Sequence, residues 1–446
     1  MISKPLNRQI FRLAIPNILN NLSVPLLSSV DTALVGRLPS PVYIGAVALG
    51  SMIFNFVYWG FGFLRMGTTG LTAQAYGKQD QQDIQLQLWR ALFFALTAGL
   101  ILILIQDFIA FIAFQLIEGS AQVEEYADIY FRIRIYAAPA TLVLYAIHGW
   151  FLGMQNARLP LLITITINIL NIIFNVIFVL QFKMTSDGVA LGTVFAQYLG
   201  LGLSVFVLFK KYNRYFKIPS FKQIIEMAAL TRFFKINFDI FIRTLSLIFA
   251  FSFFTSQSAK LGDITLAANS VLIQLWMIFS YGIDGFAFSA ESLVGKYLGA
   301  KDKKMLIQVI RQIFVFGSGL GLIISFIYGL FEQPLISLFT NNHQVLRVID
   351  LFMVWTIVAP FVNSFCYIWD GVFLGATASK GLRNAMLLST FGVYLPLHYL
   401  LTPNWGNHGM WAALLTFMIF RTISLSYLSK KYLTINIHEI VLEKTI

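Results

Sequence analysis

The sequence predicts an all-α membrane protein: about twelve transmembrane helices in two pseudo-symmetric six-helix bundles around a central cavity. Three observations carry this expectation. The 446-residue chain is 58% hydrophobic and 12% charged, with a mean hydropathy of +0.74; soluble domains are about 45–50% apolar and about 25% charged. Apolar runs repeatedly reach the roughly 20 residues that a bilayer crossing requires. Short motifs also recur at a fixed separation of 222 residues, which divides the chain into two similar halves.

The spans fall near 10–35, 44–72, 88–114, 129–153, 160–182, 188–209, 237–258, 265–294, 307–331, 348–375, 384–401 and 409–428. Within hydrocarbon every backbone polar group needs a partner, which leaves helices and closed barrels. The runs lack the alternation of barrel strands. The first span follows the basic stretch Lys4, Arg8, Arg12 and contains Pro16 and Pro25. Proline removes a helical hydrogen bond and favours a kink. With no small-residue cleavage site before it, this span reads as a retained helix. The lone cysteine, Cys366, excludes a disulfide framework.

Loop charge orients the spans. One set of alternate connections carries Lys78, Arg158, Lys210, Lys211, Arg214, Lys217, Lys222, Lys296, Lys301, Lys303, Lys304, Lys380, Arg383, Lys430 and Lys431. The other carries Glu118, Glu124, Glu125, Asp128 and Glu332. Cation-rich loops face the cytoplasm, so both termini are expected there, in a multi-pass cytoplasmic (inner) membrane protein. The net charge of +12 is thereby explained without nucleic acid. The expected organisation is an N-terminal lobe (1–209), a basic cytoplasmic linker (210–236) read as solvated loop, a C-terminal lobe (237–430) and a cytoplasmic tail (431–446).

The repeat pairs AYGKQD (75–80) with YLGAKD (297–302), so that Gly77 matches Gly299. The same offset pairs Ala46 with Ala268, Gly60 with Gly282, and the Phe-Leu-Gly at 151–153 with that at 373–375. Six spans per half make this a parallel repeat about an axis normal to the membrane. Two such bundles rocking about a cavity would give alternating access.

Ionisable and amide groups within spans are the candidate functional residues, because burying them in hydrocarbon is costly. Asp31 stands in the first span on one face with Ser28, Val24 and Asn20. Protonating it would remove its desolvation penalty and let the proline-bearing helix repack. The fifth span carries Thr164, Asn168, Asn171 and Asn175 at steps of 4, 3 and 4, a stripe that suits either a polar cavity wall or interhelical hydrogen bonding. In the second half, Asp239 and Arg243 have i,i+4 ion-pair spacing. Asp284 and Glu291 share a face of the eighth span, with Glu291 near enough the boundary to expect partial solvation. Asn363, Tyr367 and Asp370 share a face of the tenth. Arg37 and Arg65 read as interface or bundle-pairing residues. His148, His343, His398 and His408 lack metal-ligand spacing, and no nucleophile–base set points to an enzyme.

The long stretches VPLLSSVDTALVGRLPSPVYIGAVALG, FLRMGTTGLTAQAYGKQD, NILNIIFN, DIFIRTLSL, AESLVGKYLGAKD and WDGVFLGATASKGLRN resemble the multidrug and toxic compound extrusion (MATE) family, in particular its DinF branch. The resemblance spans nearly the whole chain. It implies twelve helices in two lobes, a monomer, and export of organic, often cationic or amphipathic compounds driven by inward H+ or Na+. It further implies an ion site at Asp31, with Asn171 and Thr193 as partners. The family motif usually carries an acid where this chain has Asn175, and often a fourth-helix asparagine where it has Leu144. A lone carboxylate among amides still takes a proton but makes a poorer Na+ cage, since hard cations prefer several oxygens and compensating charge. H+ coupling at Asp31 is therefore favoured over Na+, with no other metal and no cofactor; Asp370 and Asp239 form the alternative ion site. A lipid-linked-precursor flippase and an intramembrane enzyme are the alternative functions. The expected partners are small organic substrates and membrane lipids.

Overall fold

Twelve long helices account for nearly all of the described residues: α1 (Lys4–Val35), α2 (Pro41–Gly77, loosened at Phe61 and Gly62), α3 (Gln81–Leu104), α4 (Ala121–Gly153), α5 (Arg158–Gln181), α6 (Ser186–Lys211), α7 (Met227–Lys260), α8 (Asp263–Gly299), α9 (Lys303–Leu330), α10 (His343–Gly375), α11 (Ser379–Trp405) and α12 (Asn407–Leu433). The computed structural model describes residues 4–36, 38, 40–116 and 119–433, apart from the side chains of residues 4, 24, 26–29, 31 and 32. Among the described residues there is no strand, and α2 to α12 each have the length and hydropathy to cross a membrane. Each overlaps one predicted span. Pro16 and Pro25 lie inside the continuous α1.

The sequence repeat is also a repeat of boundaries. Both α2 and α8, and both α4 and α10, begin and end 222 residues apart. Asp80 and Asp302 cap α3 and α9 in the same way, their carboxylates accepting from the amides of Asp83 (2.9 Å) and Met305 (3.0 Å). The preceding turns use a left-handed residue at the same register, Gln79 (φ 59°) and Lys301 (φ 56°). So do the turns after α4 and α10, at Gln155 (φ 61°) and Thr377 (φ 53°).

Helix crossings repeat as well. A Cβ on Gly149 of α4 would strike the Arg65 carbonyl of α2, and one on Gly371 of α10 would strike the Ala287 carbonyl of α8. One turn later Gly153 faces Thr69, and Gly375 faces Glu291. Small residues let these backbones touch where lipid supplies no hydrophobic drive between helices.

Packing divides the chain into two compact units. One comprises Met1–Ile18 with Phe234–Ile446, the other Leu19–Phe233. In the first, the opening turns of α1 lie on α8 and α9: Ser289 Oγ donates to the Ile10 carbonyl (3.3 Å), Tyr297 Oη to Gln9 (3.0 Å), and Phe11 packs on Phe286 and Phe316. In the second, Trp150 is fully buried and donates to the Ile84 carbonyl (3.0 Å).

The predicted linker is largely exposed but not irregular throughout. It forms two short helices, Asn213–Phe216 and Phe221–Ile224, before α7 begins. Side chains of α3 hold it down. Gln85 and Trp89 donate to the Lys217 carbonyl. The buried Arg90 bonds the carbonyls of Gln223 (3.0 Å) and Ile224 (3.3 Å) and pairs with Glu226. Non-helical carbonyls need donors, and Arg90 supplies its fork to them. The same region borders an open pocket of about 260 Å³ lined by Asp83, Gln87, Arg90, Arg232 and Phe233.

Candidate functional site

Among the described residues, polar clusters lie inside the apolar helices of both units, and two of them hold sequence-predicted residues. In the unit of residues 19–233, α5 and α6 supply amides and a hydroxyl. Asn175 Nδ2 donates to Asn171 Oδ1 (3.0 Å), Asn171 Nδ2 donates to Thr193 Oγ1 (3.0 Å), and Thr193 Oγ1 donates to the Val189 carbonyl (3.1 Å). The i,i+4 spacing puts the two amides on one face, and Gly192 of α6 leaves room for the Asn175 amide oxygen. Asn171 and Asn175 are buried, and a π-helical turn at Ile177–Gln181 follows directly. Such turns widen a helix and are frequent at functional sites. The structure therefore brings together three of the four residues predicted to couple ions. The Asp31 side chain lies outside the described residues, as does Arg37. Asn168 is half-buried and outside this chain of bonds.

In the other unit, α7, α10 and α12 converge on Asp370. Its Oδ2 accepts from Arg243 and from Arg421 (2.5 Å), and Arg421 is only 1% exposed. The guanidinium of Arg421 also lies over the Phe417 ring. Two cations on one carboxylate leave this triad with a net positive charge. One turn before Asp370, the Tyr367 hydroxyl bonds Ser280 (3.0 Å) and Trp276 (3.4 Å) of α8. A further turn on, Asn363 is fully buried with neither its amide oxygen nor its nitrogen hydrogen-bonded.

Two expectations need correcting. Asp239 and Arg243 do not pair with each other. Asp239 is bound by Arg383 (2.6 Å) and Ser379 (2.8 Å) of α11, and Arg243 by Asp370. A buried carboxylate gains more from two donors on another helix than from one strained i,i+4 contact. Glu291 is not partly solvated but fully buried, because α8 continues to Gly299 and the α10 backbone closes over it at Gly375. Asp284 is half-buried on the same helix.

A third group was not singled out from the sequence. On α4, Arg134, Thr141, Tyr145 and His148 form a stripe at steps of 7, 4 and 3. Arg134 NH1 donates to Ser51 (3.1 Å) and Tyr130 (2.5 Å). The signal was the repeat itself. Adding 222 to these numbers gives Thr356 followed by Asn363, Tyr367 and Asp370, the polar face already noted on α10.

The architecture and its polar interior match a known transporter family. The MatE family model matches residues 16–177 and 240–400. The chain belongs to the MatE family. It is 36% identical to DNA damage-inducible protein F of Escherichia coli, over 96% of this chain and 92% of that protein. It is 22% identical to a probable multidrug resistance protein NorM of Thermotoga maritima, over 94% and 90%. In fold it is similar to a Vibrio cholerae MATE transporter, VcmN in the bent form, with a TM-score of 0.86 at 21% identity over 96% of this chain and 97% of that one. It is equally similar to an outward-facing multidrug resistance MATE family transporter, with a TM-score of 0.86 at 18% identity over 96% of each. As a MatE protein the chain is a multi-pass membrane transporter and not an enzyme. Its intramembrane polar clusters are then sites to be explained by transport.

Proposed function

We propose that this MatE protein is a secondary antiporter of the cytoplasmic membrane, exporting organic compounds in exchange for inward H+, with Asp31 as the coupling acid and both termini cytoplasmic. The observation that carries this reading is the fate of Asp370 and Asp239, the acids of the alternative ion site. Asp370 is held by Arg243 and Arg421, and Asp239 by Arg383 and Ser379. An acid already paired with guanidinium has little to gain from a proton or Na+. The Asn171–Asn175–Thr193 chain in the other unit offers neutral oxygens and amides instead, suited to a carboxylate that titrates. Asp31 comes from the helix that carries Pro16 and Pro25, and its protonation would let that helix repack. Alternating access of the two units then exchanges proton for substrate, without cofactor or resident metal; Na+ at Asp31 is the second choice of ion.

Purified protein in liposomes tests this. Export of an organic cation should follow an imposed ΔpH with or without Na+, and Asp31→Asn should reduce it by about tenfold or more. Export by Asp31→Asn at the wild-type rate under every gradient would overturn the reading.

A further inference from the structure

The open pocket beside the linker carries charges that the transport reading does not use. It lies wholly within the unit of residues 19–233, between α3 and the first turns of α7, and has a volume of about 260 Å³. Asp83, Gln87 and Arg90 line it from α3 at steps of 4 and 3, one face of that helix. Arg232 of α7 lines it from the other side, and the buried Leu71 and Phe233 give it an apolar base.

Each polar residue here has capacity left over. Arg90 is only 4% exposed; its Nε and Nη2 serve the linker carbonyls and Glu226. Its Nη1 has no hydrogen bond among the described residues, yet it is not sealed from solvent. Asp83 accepts from Gln87 through Oδ1 (2.8 Å), which leaves Asp83 Oδ2 and Gln87 Oε1 as free acceptors. Arg232 is exposed and forms no ion pair among the described residues. A guanidinium that is nearly buried and has a donor facing open space is a ready anion contact.

The mixture of signs selects the ligand. A purely anionic group would gain the two arginines but also face the Asp83 carboxylate. A group carrying both charges meets a partner for each. The surroundings select a lipid. Phe93, three residues after Arg90, is exposed and packs edge-on to the exposed Phe221 of the linker (6.2 Å), and the exposed Met227 directly precedes the pocket residues Ala228 and Ala229. This apolar skirt lies at the end of a membrane-spanning helix, where headgroups and chains meet. We propose that the pocket binds the headgroup of a phospholipid bearing a phosphodiester and a primary ammonium, the chemistry of phosphatidylethanolamine. The phosphate sits on Arg90 Nη1 and Arg232, the ammonium on Asp83 Oδ2 and Gln87 Oε1, and the chains run over Phe93 and Phe221. A primary ammonium has three N–H donors for those oxygens, and a trimethylated one has none. The bound headgroup joins α3 to the start of α7 and so reinforces the hold of Arg90 on the linker.

Native mass spectrometry of the delipidated full chain in maltoside detergent tests this. The chain is offered dioleoyl phosphatidylethanolamine in equimolar mixture with its phosphatidylcholine or phosphatidylglycerol counterpart, and the first bound lipid is counted. The ethanolamine lipid should be retained at least about fivefold over either competitor. Equal retention of the choline lipid overturns the ammonium contact, and equal or greater retention of the glycerol lipid overturns the choice of a doubly charged headgroup. The headgroup series on the wild-type chain therefore decides the proposal without any variant. Asp83→Asn should abolish the advantage over the choline lipid. Arg232→Gln should weaken retention of the ethanolamine lipid, and Arg232→Lys should keep part of it. A preference that is unchanged in both Asp83→Asn and Arg232→Gln places the lipid elsewhere and overturns the site. Soluble glycerophosphoethanolamine separates a lipid from a free phosphodiester. It should displace the lipid only at concentrations roughly a hundredfold higher, because it lacks the chains; equal potency would assign the pocket to a soluble ligand and overturn the lipid assignment. No gradient or exported compound enters the measurement, so it stands or falls apart from proton-coupled export.

Discussion

The two helices α4 and α10 are built on one plan and carry opposite electrostatic solutions. Both are 33 residues long, both are approached by a neighbour's backbone at paired glycines, and both present a four-residue polar stripe at the same register. In α10 the stripe ends on Asp370, locked by two arginines. In α4 it begins on Arg134, which among the described residues bonds hydroxyls and lies over ring faces, and it ends on His148. The frame is thus duplicated while the charges have diverged. On α10 the acid is paired by two arginines, while on α4, among the described residues, Arg134 has no carboxylate partner. A locked triad stiffens a helix bundle; an open cation and a chain of amides can respond to a ligand or a proton.

The strongest way to break this comparison is to unlock α10. Asp370→Asn leaves Arg243 and Arg421 buried without an anion. Breaking a buried pair from one side costs about 3–5 kcal/mol. We expect a large drop in the melting temperature of the purified protein and in the yield of folded material. The matching change on α4, His148→Asn, removes a group whose Nε2 has no hydrogen bond and should shift the melt far less. Equal losses would mean that the two stripes do the same structural job.

The next effect tests the shared frame. Gly371→Ala and Gly149→Ala each place a methyl against a backbone carbonyl, of Ala287 and Arg65 respectively. Overpacking of this kind costs about 1–3 kcal/mol. Thermal melting should show losses of similar size for both. A loss in one only would show that the crossings are not equivalent.

What could be read from the sequence follows the same division. The helices were legible because hydrocarbon imposes long apolar runs, and the repeat was legible because Gly77 and Gly299 sit in matching turns. Asn171 and Asn175 were visible as a stripe because helix spacing alone aligns them. Arg134 was not, since it follows Glu124, Glu125 and Asp128 and looks like part of a charged rim. Partner choice was also hidden. The i,i+4 spacing of Asp239 and Arg243 permits a pair, but Arg383 and Asp370, 144 and 127 residues on, pair with them instead. Arg90 reads as a stray cation in an apolar run until the linker backbone it serves is in view.

A third test asks whether the open lobe can be moved towards the acid-rich pattern. Asn175 already bonds Asn171, so Asn175→Asp would place a second carboxylate in the amide chain. Two acids in one site hold a cation better than one. In liposomes the variant should gain Na+-dependent export, with roughly tenfold stronger stimulation by Na+ than wild type at fixed pH, about 1.4 kcal/mol of added preference. Unchanged Na+ response would remove the amide chain from the ion site.

The smallest effect is the cleanest measure of symmetry. Asp80 and Asp302 cap α3 and α9 with the same bond, to the amide three residues on, after the same left-handed turn at Gln79 and Lys301. Neither carboxylate touches a polar stripe. Removing an N-cap costs about 1 kcal/mol. Asp80→Ala and Asp302→Ala should therefore lower the melting temperature equally, leave transport unchanged, and add in the double variant, because the two caps share no partner. If they differ, stability is unevenly divided between the halves even where their geometry coincides. The contrast between Asp370 and His148 would then reflect a general weakness of one lobe. If they match, the frame is energetically symmetric, and the difference between the stripes belongs to the charges alone.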